Sequence, residues 1–170
     1  YLRMSTAYLM AGDRAAAADK LRKALDIDPS LLEAQQGLVN LAMAANKPDE
    51  ALAIARTVQK QRPKEAAGYI LEGEIQAAGK AWDKTIDAYR AGLKLSDSPE
   101  LAVRLHSALQ SAGKKADADR WAADWTRSHP KDAGFPFYLG SQALSRNELP
   151  ESLRQFERTL TLQPDNAIAL

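Results

Sequence analysis

The 170-residue chain contains no cysteine. That excludes a disulfide framework, a thiolate metal site and a thiol nucleophile, although it does not separate a reducing compartment from an oxidising one. Histidine is nearly missing as well: His106 and His129 are the only two, and neither has a partner at metal-ligand spacing. There is no glycine-rich phosphate loop and no His-Glu pair on one helix face, so a catalytic centre would have to be assembled from carboxylates alone. The acidic residues are instead scattered among Lys and Arg along helical stretches, as on solvated faces. Neither sign of charge prevails, with 23 Lys plus Arg against 22 Asp plus Glu and a net charge of +1. No basic run could track a phosphate backbone, which argues against nucleic acid as a partner. No stretch approaches the roughly 18 uncharged apolar residues of a membrane span, and no basic-then-apolar leader opens the chain. The reading that survives is a non-enzyme that needs no cofactor or metal and inserts in no membrane.

What is present is a period. Pro29, Pro63, Pro130 and Pro164 are separated by 34, 67 and 34 residues, and 67 is two such steps less one. A repeat of about 34 residues whose last helix ends in Pro resembles the tetratricopeptide repeat, a pair of antiparallel helices that cannot bury its apolar face alone. The expected fold class is all-α, a right-handed α-α superhelix of about five helix-turn-helix repeats in a single array over residues 1–170. The repeats fall near 1–31, 32–65, 66–98, 99–132 and 133–166, with a sixth starting at 167–170. The chain opens on Tyr1 and stops six residues after Pro164, so it is expected to be a fragment of a longer protein. Cut ends would leave apolar edges and invite self-association.

When each repeat is numbered so that its closing residue is position 32, small residues recur at fixed places. Gly73 and Gly140 take position 8, and Ala17, Ala51 and Ala118 take position 20, which predicts a close helix crossing. Asp97 replaces the closing Pro of the third repeat, and the fourth repeat opens on Ser98-Pro99-Glu100, a cap followed by Pro in the first turn. Turns are expected at Gly12, at Asn46-Lys47-Pro48, near Gly79, at Gly113 and at Asn147. His106, bulky at the usually small position 8, reads as a packed or rim histidine rather than a ligand. Trp121 and Trp125, four apart on one helix face, are expected to pack at the junction with Gly134-Phe135-Pro136, where the first helix of the last repeat should begin irregularly. Trp82 matches the aromatic that the repeat family carries beside its turn.

The resemblance also implies a site. In tetratricopeptide repeats the concave surface is lined by the first helix of each pair, at positions that here hold an apolar row (Leu2, Ile70, Val103 and Phe137, with Gln36 as the exception) beside a polar row (Thr6, Asn40, Glu74, Ser107, Ser141). The next turn adds Met43, Gln110 and Leu144. The candidate groove is therefore Gln36, Asn40, Met43, Ile70, Glu74, Val103, Ser107, Gln110, Phe137, Ser141 and Leu144, and mixed apolar and hydrogen-bonding groups suit an extended or helical protein segment. The co-chaperones of this family that grip a chaperone's C-terminal carboxylate are a poor match. Asn40 and Arg104 fit their clamp, but Gln36, Leu71 and Glu100 stand where Lys, Asn and Lys are needed, and Glu100 would repel the carboxylate.

The connecting phrases carry a narrower resemblance. Gln61-Arg62-Pro63-Lys64 leading to Ala66-Ala67-Gly68-Tyr69 and Leu71-Glu72-Gly73, Ser98-Pro99-Glu100-Leu101-Ala102, and Trp125 leading to His129-Pro130-Lys131-Asp132 look like the repeat lipoprotein of bacterial PEP-CTERM/exosortase systems. That resemblance covers roughly residues 30–170. It implies a scaffold of the Gram-negative periplasm or envelope linked to exopolysaccharide production and protein sorting, lipid-anchored through an upstream segment. A cytoplasmic location, and a regulatory or substrate-recruiting domain of a larger enzyme such as a glycosyltransferase, are the alternatives.

Overall fold

The computed structural model describes residues 1–165, and the start of a sixth repeat expected at 167–170 lies outside them. The described residues form ten α-helices and no strand. In order they are α1 (Leu2–Met10), α2 (Arg14–Ile27), α3 (Leu32–Ala44), α4 (Pro48–Gln61), α5 (Ala67–Ala78), α6 (Trp82–Leu93), α7 (Pro99–Ser111), α8 (Lys115–Ser128), α9 (Gly134–Ser145) and α10 (Leu149–Leu162). They pack as two compact units, Tyr1–Ser96 and Asp97–Leu170.

One device turns the chain inside every helix pair. The residue two before each second helix adopts a left-handed backbone: Gly12, Asn46, Lys80, Gly113 and Asn147, with φ of +79°, +56°, +56°, +73° and +59°. The amide that follows each reaches back to a carbonyl five residues earlier: Asp13 to Tyr8, Lys47 to Ala42, Ala81 to Gln76, Lys114 to Leu109 and Glu148 to Ala143, at 2.8–2.9 Å. This is the Schellman arrangement, which satisfies the carbonyls that a helix end would otherwise leave bare. Near Gly79 the left-handed residue is Lys80, one place later than the glycine suggests.

The far end of each pair is set by proline. Asp28, Arg62, His129 and Gln163 each leave helical dihedrals, with ψ of 61–95°, because a following Pro clashes with an α-helical predecessor. The third repeat has no such Pro. There α6 ends at Leu93, with Lys94 still helical at φ −69° and ψ −19°, and the division between the two units falls three residues further on.

In the first unit the core passes from pair to pair. Leu21 and Ala24 of α2 pack with Ala34 of α3; Val39 and Ala42 of α3 pack with Ala51, Ala55 and Val58 of α4 and with Leu71 and Ile75 of α5. In the second unit Leu101, Leu105 and Leu109, spaced by four on α7, are fully buried, which contributes about 1.5–3 kcal/mol each. The close crossings arise by size matching between positions 8 and 24. A Cβ on Gly73 would collide with the Tyr89 ring, and one on Gly140 would lie 2.8 Å from the Phe156 ring. Where position 8 is larger, at Val39 and His106, position 24 shrinks to Ala55 and Ala122.

The expectation that α9 begins irregularly is overturned. It is helical from Gly134, because the Asp132 carboxylate accepts from the Gly134 and Phe135 amides at 2.9 and 3.3 Å. Pro136 falls in the first turn, where its missing N–H costs no helical bond.

Candidate functional site

The candidate groove residues divide by unit. In the first unit Gln36, Asn40 and Glu74 are exposed and Met43 and Ile70 half-buried; in the second, Ser107, Ser141 and Leu144 are exposed and Val103, Gln110 and Phe137 half-buried. None is buried. Gln36, Asn40 and Met43 follow the i, i+4, i+7 spacing of a single helix stripe, as do Val103, Ser107 and Gln110, and Phe137, Ser141 and Leu144. Their chemistry is not uniform. Gln36 and Asn40 bond no other described side chain, so both amides are available to a guest. Ser141 already donates to the Phe137 carbonyl at 2.9 Å, and the Phe137 ring lies 5.8 Å from that of Phe156.

His106 is 2% exposed. Its Nδ1 lies 3.0 Å from the Tyr138 hydroxyl, and its ring meets those of Phe135 and Tyr138 edge-on at 5.9 and 5.4 Å. Burial lowers its pKa from 6.5 to about 4, helped by the nearby Arg146 cation and opposed by Asp119. Burial likewise raises the Tyr138 phenol. Both groups are neutral at pH 7, so the pair is a packing element with one internal hydrogen bond.

Of the two tryptophans, Trp125 packs at the expected junction, whereas Trp121 is held within its own helix pair against α7. Trp125 is 4% exposed; its indole N–H donates to the Asp132 carboxylate at 2.9 Å, and its ring stacks on His129 at 3.6 Å and lies 6.2 Å from Phe135. Trp121 donates to the Ala102 carbonyl of α7 at 3.1 Å. Both indole N–H groups are thus engaged within the protein. His129 Nε2 sits 2.7 Å from the Asp97 carboxylate, and its Nδ1 lies 2.9 Å from the Ser128 hydroxyl and 3.1 Å from the Trp125 carbonyl.

Two clefts open on the second-helix side, and nothing in the residue pattern pointed to either. One, of about 390 Å³ in the first unit, is lined by Arg14, Ala15, Ala18 and Arg22 of α2, Leu38, Leu41 and Ala42 of α3, and Ala45, Lys47 and Glu50. The other, of about 500 Å³ in the second unit, lies among α7 to α10 and is lined by Lys115, Asp119, Arg146, Glu148, Glu151, Arg154 and Arg158, with His106 and Gln110 also on its wall. Gln110 thus faces this cleft as well as belonging to the first-helix stripe.

This repeated, Schellman-turned helix pair with its small-residue crossings is the tetratricopeptide-repeat fold. Residues 8–75 match the family model described as tetratricopeptide repeat. Over 171 aligned residues the chain is 28% identical to anaphase-promoting complex subunit 7 of Arabidopsis thaliana, covering 99% of this chain and 30% of that protein. Among solved structures it superposes on MamA with a TM-score of 0.65 at 18% identity, over 99% of both chains. It also superposes on YrrB, titled a TPR protein with an unusual peptide-binding site, with a TM-score of 0.56 at 16% identity, over 99% of this chain and 88% of that one. No helix among the described residues is long and apolar enough to cross a membrane.

Proposed function

We propose that the chain is a non-catalytic scaffold whose first helices hold a segment of a partner protein. The observation that carries this is the α3 stripe: Gln36 and Asn40 are exposed and unbonded beside half-buried Met43. Such a stripe offers directional bonds and apolar area together, and it sits on helices that the turns and crossings hold rigid. Binding then spends little on ordering the receptor. The match of residues 8–75 to the tetratricopeptide family supports the same reading, since proteins of this fold bind proteins or peptides.

The finer reading places the scaffold in a bacterial periplasm or envelope, serving exopolysaccharide-linked, exosortase-type protein sorting and anchored by a lipid upstream. It rests on the phrases around Gln61 to Gly73, Ser98 to Ala102 and Trp125 to Asp132. The test is affinity capture from envelope extract with the wild type and with Asn40→Ala combined with Phe137→Ala. The scaffold reading expects one or more proteins held by the wild type to be lost from the variant; equal recovery refutes it.

A further inference from the structure

The second-helix cleft of the first unit carries three cations, Arg14, Arg22 and Lys47, against one carboxylate, Glu50. Arg14 and Arg22, two helical turns apart on α2, form no ion pair or hydrogen bond through their guanidinium groups with any described residue. Lys47, just before α4, lines the same cleft and pairs with Glu50 at 3.5 Å, both side chains being largely exposed. Between the cations the floor is apolar, made by Ala15, Ala18, Leu38 and Leu41.

The equivalent cleft of the second unit carries more carboxylates and pairs most of its arginines internally. Asp119 stands where the first unit has Ala18, and Glu148 where it has Lys47. Arg146 pairs with Glu148 at 3.1 Å and Arg154 with Glu151 at 2.6 Å, while Arg158 donates to the Thr126 carbonyl at 3.4 Å. The same place in the repeat is therefore close to balanced in one unit, with Lys115, Arg146, Arg154 and Arg158 against Asp119, Glu148 and Glu151, and carries Arg14, Arg22 and Lys47 against Glu50 alone in the other.

We infer that the cleft bounded by Arg14, Arg22 and Lys47 is a second docking site, for a partner segment that carries apolar side chains flanked by carboxylates. The apolar floor would take the former. The two guanidinium groups would take the latter, each able to grip a carboxylate with two parallel bonds. The volume is within the roughly 300–1,000 Å³ range of ligand clefts. This site is separate from the one proposed above. With 3.6 residues per turn, Gln36, Asn40 and Met43 lie on one side of α3, and Leu38, Leu41 and Ala45 on the other. Two partners, or two segments of one, could be held by the same helix.

The probe is a fluorescent peptide of repeating Glu-Leu-Glu-Ala, followed by anisotropy against the whole chain, with Lys-Leu-Lys-Ala and Glu-Gly-Glu-Ser peptides as comparisons. The wild type is expected to bind the first peptide in preference to both others, more weakly as salt rises. Arg14→Ala with Arg22→Ala should raise its Kd on the order of tenfold, and both sites are exposed enough to leave the fold intact. Arg14→Glu with Arg22→Glu should shift preference to the lysine peptide. Arg154→Ala with Arg158→Ala, and Gln36→Ala with Asn40→Ala, should leave binding unchanged. The inference is overturned by absence of binding to the wild type, by equal binding of the glycine peptide, by indifference to the Arg14 and Arg22 changes, or by loss through Gln36 and Asn40. That last result would assign the peptide to the first-helix site and leave the scaffold reading standing.

Discussion

His106 converts burial into a pH dependence. Its folded pKa of about 4 lies below the ordinary 6.5, so between these values the unfolded chain binds the proton and the folded one does not. Stability is full above about pH 6.5 and falls as pH drops toward 4, by up to roughly 3 kcal/mol if this group dominates. Urea midpoints at pH 7.5 and 4.5 should differ less in His106→Gln, which keeps a hydrogen-bonding side chain but does not titrate. A second residue-scale prediction concerns Lys80, which carries a left-handed φ of +56°. Lys80→Gly should stabilise by roughly 0.5–1 kcal/mol, the relief of Cβ strain exceeding the added freedom of the unfolded chain, and thermal melts would show it. Gly73→Ala should do the reverse, costing about 1–3 kcal/mol against the Tyr89 ring, and Tyr89→Leu should recover part of that loss. Gly73 was legible as a close-packing residue from its place in the repeat. Lys80 was not, because Gly79 beside it is the residue that ordinarily takes such a turn, and only the count from Asn46 and Gly113 puts the left-handed site one place later.

At the scale of elements, Asp132 joins two helices through one carboxylate. One oxygen caps α9 and the other holds the Trp125 indole of α8. Asp132→Ala should cost about 1–2 kcal/mol for the cap alone and more for the orphaned indole, and should increase the fluorescence change of Trp125 on local opening. This corner is why the sequence reading of α9 failed: Gly134 and Pro136 suggested a broken entry, and nothing local revealed that a side chain two residues earlier would cap it. Ala118, fully buried, was read correctly as a crossing residue, and Ala118→Leu should destabilise by about 1–3 kcal/mol in chemical denaturation. The connecting loops interlock across a repeat. In the first unit the Gln61 amide and the Arg62 guanidinium donate to the Pro29 and Ser30 carbonyls, both at 3.1 Å. Gln61 and Arg62, which belong to one of the phrases that resemble the exosortase-linked lipoprotein, therefore have a structural role as well.

For the molecule as a whole, the proline spacing made the helix-pair architecture legible because proline acts on its own neighbour's backbone and needs no tertiary context. The division after Ser96 was less legible, since it follows from a missing proline and an early end to α6. The groove was legible as a stripe of positions and less so as chemistry. Phe137 turns out to be engaged by Phe156, which lies on another element and is invisible to a pattern read along one helix. The charged clefts escaped altogether, because their walls combine α2 with α3 and α4, and α8 with α10. The central claim, that the first-helix face is the receiving surface of a scaffold, is tested most directly by placing a photo-crosslinking amino acid at Asn40 and, as a control, at the exposed Asp87 of the second helix α6. In cells that express the full-length protein, the account predicts a discrete adduct from position 40 that is absent at position 87. Equal adducts from both positions, or one from position 87 alone, would contradict it.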